Sequence, residues 1–200
     1  MKPLFYYRLM GKIKNIVAEW DDLAPTRKKA IKYAHRNINP TPPKHKGNTT
    51  AWSNEYCLAS SGSSISDRFR HDTPELIDLA ISETVATYET KIPLVLYRGV
   101  TNENYNNMIR DAKGIKGIDL YEKGFLSTSI VKGHEIAYKP EDGKRLRIYI
   151  PSGTQALYLG NVFSNEEEQR YYEVAVQRGA KLRILSIDDT YINCILKGFQ

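Results

Sequence analysis

Pro93-Leu94-Val95-Leu96-Tyr97-Arg98-Gly99-Val100 marks the point at which the texture of this 200-residue chain changes. Leu94 to Tyr97 is an unbroken apolar and aromatic run of strand length, closed by a proline on one side and a glycine on the other. Upstream the signals are helical. Residues 3–20 and 25–37 read as helices, the second with Pro25 in its first turn and Ala30, Ile31 and Ala34 as an apolar stripe among lysines. Residues 52–60 and 64–71 read as short helices. Thr73-Pro74-Glu75 predicts another helix start, with Thr73 as the capping hydroxyl and helical apolar spacing on to Tyr88. Downstream, strands are expected at 94–99, 124–129, 145–150, 155–159, 172–178, 181–187 and 190–197, with one helix at 102–111. Helices first and strands later predict an α+β domain.

Two hundred residues suffice for one domain with a full core. No apolar run approaches the ~20 residues that span a bilayer, so no integral membrane association is expected. Met1-Lys2-Pro3-Leu4-Phe5-Tyr6-Tyr7-Arg8 has no apolar stretch of signal-peptide length after its charge. A soluble protein is expected, acting in a cytosol or reaching a target cell by secretion or injection without a cleaved leader. Cys57 and Cys194 lie far apart, and His35, His45, His71 and His134 show no zinc spacing. Two reduced thiols, no metal and a monomer are expected.

The charge is uneven. The formal net charge is +6, but residues 1–50 carry 11 Lys and Arg against 3 Asp and Glu, so the rest of the chain is slightly acidic. Asn39-Pro40-Thr41-Pro42-Pro43-Lys44-His45-Lys46-Gly47-Asn48 reads as a linker or exposed loop. Residues 1–48 are therefore expected to form a basic helical arm with its linker, and 49–200 the functional domain. Such an arm either docks on an acidic partner or is a solvated helical face.

Three segments place single polar groups on strands that otherwise read as buried. Arg98 closes the first run; Gly124-Phe125-Leu126-Ser127-Thr128-Ser129 carries hydroxyls; Tyr171-Tyr172-Glu173-Val174-Ala175-Val176-Gln177-Arg178-Gly179 carries a lone glutamate ahead of Val174 and Val176. Buried arginine is rare unless paired, so Arg98 is either a ligand fork or half of a core salt bridge, with Glu173 as one conceivable partner. Taken alone, Glu173 would read as an edge-strand residue facing water. Converging on one cleft, these groups would suit a ligand with a pyrophosphate and a ribose.

The order of these segments resembles the mono-ADP-ribosyltransferases of the arginine–serine–glutamate class, and most of all the compact bacterial exoenzymes, including the Rho-modifying clostridial group. Ile65-Ser66-Asp67-Arg68-Phe69-Arg70 and Ile150-Pro151-Ser152-Gly153-Thr154-Gln155-Ala156-Leu157-Tyr158-Leu159 extend the likeness over about Trp52 to Leu196. The resemblance implies two small antiparallel or mixed sheets packed together behind N-terminal helices, with NAD between them and residues 49–200 as the catalytic domain. It implies Glu173, Ser127 and Arg98 as catalytic. It further implies Arg98, Gly99, Arg70, Ser127, Thr128, Ser129 and Glu173 as the NAD-binding set, with Arg68 as an alternative to Arg70. Residues 131–144 would be the loop over phosphate and nicotinamide, with Lys139 and Lys144 as candidate contacts.

The implied reaction is cleavage of the nicotinamide–ribose bond through a transition state with oxocarbenium character, as in glycoside hydrolysis. It needs a phosphate anchor and a carboxylate at the ribose, not a protein nucleophile. The acceptor position two residues before the catalytic glutamate is ordinarily Glu or Gln in such enzymes; here it is Tyr171. The acidic run Glu166-Glu167-Glu168 disfavours a phosphate backbone, so a macromolecular acceptor of protein type is expected for this toxin or effector. The alternatives are an NAD glycohydrolase and a nucleic-acid ADP-ribosyltransferase. A binding module that merely kept the fold is disfavoured by the intact Arg98, Ser127 and Glu173.

Overall fold

The computed structural model of this protein describes residues 16–38, 53–135, 143–160 and 172–200. Its helices are α1 (Ala30–Asn37), α2 (Asn54–Arg70), α3 (Leu76–Ala86) and α4 (Asn102–Asp111). The strands are β1 (Leu94–Val100), β2 (Leu120–Glu122), β3 (Leu126–Ser129), β4 (Lys144–Ile150), β5 (Ala156–Tyr158), β6 (Glu173–Val176), β7 (Ala180–Ile187) and β8 (Ile192–Gly198). Two 3-10 turns, Trp20–Leu23 and Arg27–Lys29, precede α1. The strand order is β2-β7-β8-β4-β1-β3-β6-β5, antiparallel except between β4 and β8. A group of five strands (β2-β7-β8-β4-β1) and a group of three (β3-β6-β5) are joined through one register pair, Tyr97 with Ser129.

β1 explains its own unbroken apolar run. Leu94, Leu96 and Val100 enter the main core with Leu146, Ile148, Val174 and Val176, and that core also takes Ala30, Ala34 and Ile38 from around α1. Val95 and Tyr97 enter a second core with Val17, Trp20 and Tyr191. A strand covered on both faces reads as continuous hydrophobicity rather than alternation. A third core packs Leu58, Ile65 and Phe69 of α2 and Ile81 and Val85 of α3 against Phe125, Leu157 and Ala175. Residues 16–38 thus contribute side chains to the packing around the sheet.

Local differences from the sequence reading have simple causes. The helix expected from Pro25 begins at Ala30, because Ala24 and Thr26 are both extended and the 3-10 turn Arg27–Lys29 intervenes. The helices expected at 52–60 and 64–71 are two helical stretches that run on into each other as α2, separated by a kink at Ser61, φ −131°, inside a Ser-Ser-Gly-Ser-Ser run. The cap of α3 is Glu75, not Thr73: Glu75 and Asp78 form a reciprocal capping box. Asp78 is fully buried and forked by Arg68, which holds its carboxyl below the usual range. β2 was not expected, since three residues give too short a pattern to read. Residues 3–15 of the first expected helix lie outside the described residues, as do 136–142 and 161–171.

Candidate active site

Gly124 sets the distance between α2 and the start of β3. A Cβ on Gly124 would sit 2.7 Å from the Ser66 Cβ and 2.9 Å from the Ser66 carbonyl oxygen, so no larger residue fits without moving α2. That close approach brings the polar face of α2 over the ends of β1, β3 and β6. The resulting cleft, of about 340 Å³, is lined by Ser66, Asp67, Arg70, Arg98, Gly99, Phe125, Ser127 and Glu173 among others. It shares Asp67, Arg70, Thr101 and Asn104 with a second hollow of about 550 Å³, so the open space around Arg70 is elongated.

The β3–β6 register decides which hydroxyls reach the cleft. Ser129 pairs with Glu173, Thr128 with Val174 and Ser127 with Ala175. Directly paired residues share a face and successive residues alternate. Ser127, Ser129 and Glu173 therefore lie on one face and Thr128 on the other. Ser127 and Glu173 both line the cleft. Burial raises the Glu173 pKa above the ordinary 4.5, while Ser127 and the Arg98 charge act in the opposite direction.

Thr128 and Ser129, implied as cofactor-binding, are not among the residues lining the cleft. The Thr128 hydroxyl donates to the Val174 carbonyl at 2.7 Å, from the far face of β3. Ser129 is fully buried, and its hydroxyl engages the Val131 N–H and carbonyl. These bonds tie both hydroxyls to the backbone.

Arg98 is 7% exposed. Past the Tyr97–Ser129 pair, its guanidinium donates to carbonyl oxygens of the β3 end, Ser127 at 3.2 Å and, more weakly, Phe125 at 3.5 Å. Its other terminal nitrogen donates to Glu122 at 2.9 Å. Arg70, at the last turn of α2, forks the same carboxylate at 2.9 and 3.0 Å and bonds Asp67. The Gly124 N–H also donates to Glu122. Burial alone would raise the Glu122 pKa, but the two arginines and the Gly124 N–H hold it below the ordinary value. Arg98 therefore does have an ion-pair partner, and it is Glu122 rather than Glu173.

Sequence reasoning missed Glu122, although it lies two residues before Gly124. Sequence could not settle Arg68 against Arg70 either. The structure commits Arg68 to Asp78, while Arg70 faces the cleft. Tyr171 and Lys139 lie outside the described residues. Lys144 begins β4 and lines a different hollow.

A family model described as ADP-ribosyltransferase exoenzyme matches residues 45–197. The chain belongs to that family. It is an NAD-dependent ADP-ribosyltransferase. Several solved structures share this fold at low sequence identity. The Clostridium limosum C3 exoenzyme is 17% identical, with a TM-score of 0.61 over 88% of this chain and 97% of that one. Plx2a, an ADP-ribosyltransferase toxin from Paenibacillus larvae, is 16% identical, with a TM-score of 0.57 over 86% and 96%. C3stau2 from S. aureus, solved with NAD, is 18% identical, with a TM-score of 0.56 over 84% and 92%. A sequence comparison with curated proteins finds no match.

The exoenzyme's own side chains fit a dinucleotide. Nε of Arg98 is buried with no hydrogen-bond partner, and Arg70 has spent only three of its five N–H groups. Unspent donors in a partly dry cleft are what a pyrophosphate would satisfy. Among the described residues, no group of three or more His, Cys, Asp and Glu side chains is placed to hold a metal, and no helix is long and apolar enough to cross a membrane.

Proposed function

We propose that this exoenzyme cleaves the nicotinamide–ribose bond with Glu173 as the carboxylate at the ribose, and transfers ADP-ribose to a protein as a toxin or effector. The observation that carries the reading is the convergence of Glu173, Ser127, Arg98 and Arg70 on one cleft. Arg98 and Arg70 would hold the pyrophosphate through their free N–H groups, with Glu122 fixing both guanidinium planes from behind. Gly99, at the cleft wall, brings main-chain groups close enough to hold the nicotinamide amide. Ser127 orients the carboxylate of Glu173.

As positive charge builds on the ribose, an ionised Glu173 in this partly desolvated position stabilises it more than it would in water. The chemistry requires no covalent enzyme intermediate. The neutral leaving group departs, and the acceptor takes its place at the ribose.

Tyr171 is the proposed acceptor-side residue. A tyrosine offers a flat apolar face and one hydroxyl, in place of a carboxylate or amide. With Glu166-Glu167-Glu168 beside it in sequence, a protein surface is a better match than a polyanion. Residues 1–48 are proposed as an accessory arm of the catalytic domain.

Incubating radiolabelled NAD with a cell lysate and the purified protein tests the reading. Label on a protein band is expected. Free ADP-ribose without labelled macromolecule would make the protein a glycohydrolase, label on nucleic acid would change the acceptor, and intact NAD would remove the enzymatic assignment.

A further inference from the structure

Glu173 is preceded by a residue in a backbone conformation that its side chain disfavours. Tyr172 has φ +49°, the left-handed region in which a bulky residue is an outlier. Such a conformation costs on the order of 1–3 kcal/mol and persists where the surroundings over-determine it.

Here the restraints come from three directions. The Ile130 N–H, just beyond β3, donates to the Tyr172 carbonyl at 3.1 Å. The Tyr172 ring is 7% exposed, packs in the main core and meets His134 edge-on at 5.5 Å between centroids. Its hydroxyl accepts a hydrogen bond at 3.1 Å from Nε of Arg27.

Arg27 is far away in sequence, in the 3-10 turn that leads into α1, and the buried Ala30 and Ala34 anchor that turn to the core. The same segment also reaches the loop after β3, where Lys132 donates to Asp21. The N-terminal segment thus touches both the residue before Glu173 and the loop that follows the Ser127 strand.

We propose that Arg27 is a positioning residue for Glu173, acting through the Tyr172 hydroxyl. The proposal rests on the assignment of Glu173 to the ribose. With the Arg27 bond in place, the strained turn at Tyr172 has one outcome, and the first residue of β6 presents its carboxylate to the cleft. Without it, Tyr172 keeps its ring in the core but loses the restraint at its tip. Relaxation toward an ordinary φ then shifts the neighbouring carboxylate.

NAD binding itself would be untouched, since Arg98, Arg70 and Gly99 stand on β1 and α2. The basic arm accordingly has a task in the chemical step as well as in packing.

The test measures nicotinamide release from NAD by full-length Tyr172→Phe, Arg27→Leu and their double variant, normalised to folded enzyme. Loss of one hydrogen bond should lower kcat about fivefold in each single variant, with the NAD KM unchanged. The double variant should lose no more than either single one, and Arg27→Lys, which still donates, should restore most of the rate. Tyr172→Phe preserves ring volume, so its fold is not at issue. The proposal is overturned by an unchanged kcat in both single variants, by losses that multiply in the double variant, or by a raised KM with kcat intact. Glu173→Gln run alongside separates the two levels: if it also turns over at the wild-type rate, the site assignment itself has failed; if it alone is inactive, only the role of Arg27 has.

Discussion

At the residue scale, Glu122 carries consequences that no motif announced. It is buried, and it is shared by the two arginines that line the cleft. Glu122→Gln leaves buried guanidinium charge uncompensated, which should cost about 3–5 kcal/mol of stability. It should also raise the NAD KM about tenfold, more than it lowers kcat, because both proposed phosphate ligands lose their fixed orientation. Denaturant unfolding and steady-state kinetics check the two parts; an unchanged KM would mean that Glu122 serves packing alone. Glu173 carries a signed pH expectation. Its raised pKa means that the folded state binds this proton more tightly than the unfolded chain does. Ionised Glu173 therefore costs stability at neutral pH, and the cost vanishes as pH falls through the raised value. Glu173→Gln should be more stable than the wild type near pH 7, and the gap should close in acid. The acid limb of NAD cleavage should lie above the 4.5 of an ordinary glutamate. A limb at or below that value would contradict a desolvated catalytic carboxylate.

At the scale of elements, α2 approaches the residues leading into β3 closely enough to admit only glycine at position 124. Gly124→Ala forces a methyl group against the Ser66 backbone, which cannot swing aside. Overpacking of this kind costs about 1–3 kcal/mol, and the displaced helix carries Arg70 with it. Calorimetric NAD affinity should fall together with the unfolding midpoint, and unchanged affinity would show that α2 does not set the phosphate site. The same elements mark how far the sequence could be read. Strands buried on both faces, such as β1, betray themselves by unbroken apolar runs, and α4 was legible over its full length, 102–111. Arg98, Ser127 and Glu173, which line one cleft, stood out in the sequence because each is a single polar group at the edge of an apolar stretch. Thr128 and Ser129 could not be told from Ser127 in the sequence, because three adjacent hydroxyls look alike until register turns Thr128 to the other face and the Val131 backbone engages Ser129. Glu122 was invisible because β2 is three residues long and its partners lie on other elements. The left-handed Tyr172 was invisible for another reason: the sequence marks such positions by glycine, and this one is held by tertiary contacts.

At the scale of the whole molecule, the basic arm is both a charge feature and part of the packing. Val17, Trp20, Ala30, Ala34 and Ile38 are all buried. Asp21 accepts from Tyr97 on β1 and pairs with Lys132 and Arg147. Deleting residues 1–46 should therefore lower solubility and reduce NAD hydrolysis and transfer together. A truncated protein that hydrolyses NAD normally but no longer labels its target would instead make the arm a targeting device. The most direct measurement for the molecule as an enzyme is nicotinamide release from NAD by purified wild-type and Glu173→Gln protein, with NAD affinity determined for both by calorimetry. The isostere removes the charge proposed to face the ribose and leaves Arg98, Arg70 and Glu122 in place. Turnover should fall on the order of 10² to 10³-fold with affinity nearly unchanged, whereas wild-type turnover by a folded Glu173→Gln protein would contradict the assignment of this cleft.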